Sequence, residues 1–138
     1  MLMTLENIDT IAQAIVKELP SYDSEATILL LSGDMGAGKT TLTQAIGKAL
    51  NIKDNMPSPT FVMRRDYESN HDKFSRVIHI DAYRLEADEA KALDLHNEVE
   101  GGRALIIMEW SENIGEVPSD AKIYISTISE FERELHIS

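Results

Sequence analysis

Gly33-Asp34-Met35-Gly36-Ala37-Gly38-Lys39-Thr40 matches the spacing G-x-x-x-x-G-K-[ST] at every fixed position. Glycines at these positions let the main chain curl so that successive N–H groups point inward and form an anion nest at the start of a helix. The helix dipole adds to the attraction for a polyphosphate. In such a P-loop the Lys39 ammonium reaches the β- and γ-phosphates, the Thr40 hydroxyl ligates magnesium, and Thr41 hydrogen-bonds a phosphate further back. A plain glycine-rich strand-to-helix turn explains neither three glycines nor the Lys-Thr placement.

A nucleotide-bound magnesium needs an anionic partner at the end of a neighbouring apolar strand, and two acids are so placed. Val77-Ile78-His79-Ile80 leads to Asp81, and Leu105-Ile106-Ile107-Met108 leads to Glu109. Either is a candidate metal carboxylate, with the other orienting a water; acids that merely start turns are the plainer alternative. His79 reads as a strand residue rather than a ligand. Ser58-Pro59-Thr60-Phe61 stands where nucleotide-binding folds keep a segment that senses the γ-phosphate, with Thr60 as the sensor, though Ser-Pro-Thr is equally ordinary turn chemistry. Arg64, Arg65 and Arg84 could supply positive charge to a transition state, but solvated hairpin charges are commoner. Trp110 is equally well an aromatic at the core's edge.

These residues need a scaffold, and the hydrophobic pattern outlines one. Leu5, Ile8, Ala12, Ile15 and Leu19 recur at helical spacing, so a helix is expected over residues 5–19 with Thr4 as N-cap and Pro20 as stop. Thr27 to Ser32 is a continuous apolar run, the pattern of a strand buried on both faces. Leu42, Ala45, Ile46, Ala49 and Leu50 fit one face of a helix over Lys39 to Leu50. Phe61 to Tyr67 and Phe74 to Tyr83 read as an antiparallel hairpin, Glu86 to Leu95 as a short helix, and Ala104 to Trp110 as a second central strand. After Ala121 two late strands are expected, the last one with Phe131, Arg133, Leu135 and Ile137 alternating against Glu132, Glu134 and His136. The sum is an α/β, P-loop NTPase-like sandwich with parallel central strands and antiparallel edge strands, in a single P-loop ATPase domain over residues 1–138.

Composition narrows the function. The chain has 13 Lys and Arg against 24 Asp and Glu, a formal net charge of -11. Binding to nucleic acid through counterion release needs a basic face, so RNA, if involved, is expected in a partner's hands. The absence of cysteine excludes disulfides, thiolate metal sites and a cysteine nucleophile. The segment from Met1 carries Glu6 and Asp9 and lacks a basic start followed by an apolar stretch, and no run is long enough to span a bilayer. A cytoplasmic protein with no membrane association is expected.

Four segments together, the loop Gly33 to Thr41, Ser58-Pro59-Thr60-Phe61, His79-Ile80-Asp81-Ala82-Tyr83-Arg84 and Glu109-Trp110, resemble the TsaE family in order and spacing. The resemblance implies an ATPase that converts ATP to ADP with magnesium and supports formation of threonylcarbamoyladenosine in tRNA. It would act on a complex of TsaD and TsaB that holds the tRNA, without transferring the carbamoyl group itself. It further implies that Lys39 and Thr40 bind phosphate and magnesium, that Asp81 and Glu109 serve the metal and the attacking water, and that Trp110 is needed for activity. Ser58 and Thr60 would lie in a switch-like, partner-coupled segment, and Thr10 would correspond to a family threonine near the adenine. The chain departs from the family at Ser111, where proline is common after Glu-Trp, at Ala82, and at Leu93-Asp94-Leu95, where a Leu-Gly pair is usual. A small-molecule or nucleoside kinase shares the P-loop, but no lid-like arginine cluster is present. A non-hydrolysing, nucleotide-gated binding module is the other alternative. Asn51-Ile52-Lys53-Asp54 has the wrong order for a guanine-reading Asn-Lys-x-Asp pattern, which disfavours a GTPase.

Overall fold

The computed structural model describes residues 1–34, 36–53, 56, 64–81, 102–109 and 119–138. The order of elements is β1 (Leu2–Met3), α1 (Ile8–Glu18), β2 (Thr27–Gly33), α2 (Lys39–Ala49), β3 (Arg64–Glu68), β4 (Arg76–Asp81), β5 (Ala104–Glu109), β6 (Ala121–Thr127) and β7 (Arg133–Ile137). The strands form one sheet in the order β1-β7-β6-β2-β5-β4-β3. Strands β6, β2, β5 and β4 pair in parallel, while β3 joins β4, and β7 joins β6 and β1, antiparallel. Parallel pairing suits the middle of the sheet because β2 and β5 are apolar almost throughout and are buried on both faces.

Alternate residues of these strands serve two cores. Leu29, Leu31, Val77, Leu105, Ile107, Ile123 and Ile125 share one cluster with Ile8, Ile11, Ala12, Ile15 and Val16 of α1 and Leu42, Ala45 and Ile46 of α2. Ile28, Leu30, Ile78, Ile80, Ile106 and Met108 form a second cluster on the opposite face. Each fully buried leucine or isoleucine contributes about 1.5–3 kcal/mol, so the strands that carry the acids are also the best anchored.

The expected antiparallel hairpin is present, and its second strand begins at Arg76, with Phe74 fully buried just before it. Residues 61–63 and 82–83 of the expected hairpin, and the helix expected over Glu86 to Leu95, lie outside the described residues.

Three expectations need correction. Helix α1 starts at Ile8 with Asn7 as N-cap, not at Leu5 behind Thr4. Asn7 spends its side chain on the preceding turn: its Oδ1 accepts from Thr4 N at 2.7 Å and its Nδ2 donates to Leu2 O at 3.0 Å. That turn leaves Leu5 76% exposed instead of on the helix's apolar face. Phe131 falls in the turn before β7, 71% exposed, because the β6–β7 connection extends to Glu132. Strand β1 was not expected, since two residues carry no periodicity; its register with Arg133 and Glu134 comes entirely from β7.

Candidate functional site

Leu31 of β2, Glu109 of β5 and Asp81 of β4 are register partners across three parallel strands, so both acids end their strands beside the start of the loop after β2. This is the carboxyl edge of the sheet, where open α/β sheets bind ligands. Residues 77, 79 and 81 and residues 105, 107 and 109 alternate onto the face that carries α1 and α2, so Asp81 and Glu109 share a face with the core under α2. Both are buried, Asp81 to 7% and Glu109 to 3% exposure.

The loop closes on itself before it enters α2. Gly33 has φ +146 and approaches β6 so tightly that a Cβ would lie 2.4 Å from Ile125 O, which only glycine permits. Ala37 N donates to Asp34 O at 3.0 Å, and Gly38, the N-cap of α2, accepts from Leu42 N at 2.9 Å. Lys39 is buried, and its Nζ donates to Gly33 O at 2.6 Å, which folds the ammonium back over the loop. Thr43 Oγ1 donates to Lys39 O at 2.9 Å and steadies the first turn. That turn contains no acidic residue, so the positive end of the helix dipole is left for an incoming anion. Thr40 is half-buried, while Asp34, Gly36 and Thr41 are exposed.

Beside the loop lies a cleft of about 160 Å³. It is lined by Thr4 and Leu5 from the N-terminal turn and Ile8 at the start of α1, by Gly36, Gly38 and Thr41, and by Glu130 and Phe131 from the β6–β7 turn and Arg133 at the start of β7. Arg133 ties that turn to the loop: its Nε donates to Ala37 O at 3.0 Å and its Nη1 to Ser129 O at 2.7 Å. Thr10 sits exposed on α1 and is not among the residues that line the cleft. Met35, Ser58, Thr60 and Trp110 lie outside the described residues.

Two features of this region escaped the sequence reading. Leu5 and Phe131 border the cleft, yet they are 126 positions apart in the chain and neither belongs to a motif. His79, expected as a strand residue rather than a ligand, has its Nε2 2.5 Å from Glu109 Oε2. Its Nδ1 is buried and has no hydrogen-bond partner among the described residues, a cost of about 1–3 kcal/mol. The motif His-Ile-Asp held the signal, but the partner is 30 positions away.

The donor set suits a hard divalent cation shared with phosphate oxygens. Magnesium is usually held by one or two carboxylates plus phosphates and waters rather than by an all-protein cage. Asp81 and Glu109 are adjacent carboxylates at the right edge, and among the described residues no cluster of three or more His, Cys, Asp or Glu is placed to hold a metal unaided. No described helix is long and apolar enough to cross a membrane.

Residues 2–135 match the profile of the family described as "Threonylcarbamoyl adenosine biosynthesis protein TsaE". The chain is 40% identical over 96 residues to a tRNA threonylcarbamoyladenosine biosynthesis protein TsaE of a Nostoc species, covering 67% of this chain and 57% of that protein. It is 42% identical over 87 residues to the protein of the same description from Streptomyces coelicolor, covering 62% of this chain and 57% of that one. The chain thus spans little more than half the length of these two relatives. The crystal structure of Bacillus subtilis YdiB superposes with a TM-score of 0.68 at 25% identity, covering 98% of this chain and 84% of that one.

Proposed function

Because this chain belongs to the TsaE family, we propose that it is a magnesium-dependent ATPase that supports threonylcarbamoyladenosine formation in tRNA by acting on the TsaD–TsaB complex. The observation that carries the proposal is the register of Asp81 and Glu109 beside the loop whose Lys39 is folded over Gly33. Phosphate capture and a strand-end carboxylate that serves the metal or the attacking water are recurring parts of P-loop ATP hydrolysis.

In this reading the main-chain amides of residues 33–41 and the Lys39 ammonium hold the β- and γ-phosphates. The Thr40 hydroxyl, Asp81 and Glu109 would hold magnesium, which when bound neutralises phosphate charge. One of the two carboxylates orients the attacking water; the water oxygen bonds to the γ-phosphorus as the bond to the ADP oxygen breaks, and the products are ADP and phosphate. The cleft between Leu5 and Phe131 receives the base, whose flat apolar faces suit two exposed hydrophobic side chains. Thr10 stands exposed on the adjoining helix outside the cleft lining, so its place near the base rests on the family resemblance alone, and the partner complex is sensed through Ser58, Thr60 and Trp110. The strongly acidic chain leaves tRNA to its partners. The work is done in the cytoplasm.

The test is ATP turnover with and without TsaD and TsaB, and threonylcarbamoyladenosine formation in the reconstituted system. Lys39→Ala should lower both by about 100-fold or more, since it removes a preorganised charge on the transferred phosphoryl group. Asp81→Ala and Glu109→Ala should lose turnover more than nucleotide affinity. Wild-type turnover by Lys39→Ala would remove the mechanism.

A further inference from the structure

His79 is fully buried in the middle of β4, on the face it shares with Val77 and Asp81, in register with Ile107 of β5. Val77, Leu105, Ile107 and Leu29, buried on the same side of the sheet, are apolar. A leucine or phenylalanine at this position would complete that layer without burying any polar atom. The chain instead carries an imidazole whose Nδ1 finds no partner among the described residues and whose Nε2 is spent on Glu109 Oε2 at 2.5 Å.

The geometry points to His79 as a positioning residue that holds Glu109 by one oxygen, so that Oε1 alone is presented to the phosphate loop. The inference rests on the role proposed for Glu109. A glutamate's terminal torsion is broad and two-fold, so a free carboxylate exchanges its two oxygens and samples many headings. A ring on a strand paired on both sides, bonded to Oε2, removes that freedom. In a neutral ring facing an ionised carboxylate, which has acceptors only, the shared hydrogen is on Nε2 and the unpaired Nδ1 is a bare acceptor. Partners of this kind set the heading of a working carboxylate, and their loss typically costs about 10–100-fold in activity or metal affinity.

Two substitutions separate positioning from packing. His79→Phe keeps a ring and removes the donor, whereas His79→Gln keeps an N–H donor near the place of Nε2. His79→Phe should lower kcat for ATP hydrolysis by about 10–100-fold with KM for ATP nearly unchanged, and His79→Gln should recover most of the loss. Equal losses in both, or wild-type kcat in His79→Phe, overturn the inference. A second measurement needs no variant: nitrogen-15 imidazole spectra of the unsubstituted chain should show His79 as the Nε2–H tautomer, and an Nδ1–H tautomer overturns the inference even if His79→Phe fails to fold. Glu109→Gln is assayed alongside. If it turns over ATP at the wild-type rate, the reading of Glu109 fails; if it is slow while His79→Phe is not, only the positioning role of His79 fails.

Discussion

Replacing Gly33 and Gly36 by alanine, one at a time, measures how far the phosphate loop depends on β6. Both glycines have positive φ, +146 at Gly33 and +82 at Gly36. Either substitution therefore incurs a backbone cost of about 1–3 kcal/mol. Their surroundings differ. A Cβ on Gly36 meets nothing within 4 Å, whereas one on Gly33 would stand 2.4 Å from Ile125 O and 3.3 Å from Ile125 C. These are main-chain atoms of a paired strand in register with Gly33, so no side chain can swing aside. The contact must open from 2.4 Å to at least 3.0 Å, which parts β2 from β6 at the root of the loop. Overpacking of this kind costs about 1–3 kcal/mol more. Gly33→Ala should thus be less stable than wild type by roughly 2–6 kcal/mol and Gly36→Ala by only the backbone part. Urea unfolding followed by circular dichroism gives both values. Because Gly33 O also accepts from Lys39 Nζ, Gly33→Ala should weaken ADP binding by calorimetry more than Gly36→Ala does. Stabilities of the two variants within about 0.5 kcal/mol of each other would refute the close approach of β6.

Lys73 closes the far end of α1: its Nζ donates to Val16 O at 2.8 Å, Lys17 O at 2.7 Å and Leu19 O at 2.5 Å. Lys73→Met should cost about 1–2 kcal/mol and lower the melting temperature by roughly 3–8 °C, read by calorimetric scanning, while leaving nucleotide affinity unchanged. The Asp66 carboxyl is held below its ordinary value of 3.8, chiefly because Arg64 donates to both its oxygens at 2.8 Å. A lowered carboxyl contributes stability in full above that ordinary value and loses it as pH falls through the lowered one. Asp66 is 48% exposed, so the pair contributes only about 0.2–1 kcal/mol; Arg64→Gln should bring the carboxyl back toward 3.8 in a carbon-13 titration.

The family, the loop and the two acid-ended strands were legible in the residues alone, because each is a local pattern. Continuous apolar runs at β2 and β5 demand burial on both faces, and the spacing from Gly33 to Thr40 specifies a phosphate nest whatever surrounds it. The stop of α1 before Pro20 is of the same kind, since a ring without an N–H cannot continue a helix. Its start was not, because Thr4 and Asn7 are both good caps and the choice fell to a turn built against β1. Only the packed sheet decided which strands are neighbours. That order brings Asp81 level with Glu109, puts Ile125 against Gly33, and sets His79 beneath an acid 30 positions later. Contacts of this range depend on closing long loops around a shared core, a property of the whole chain that no window of residues carries.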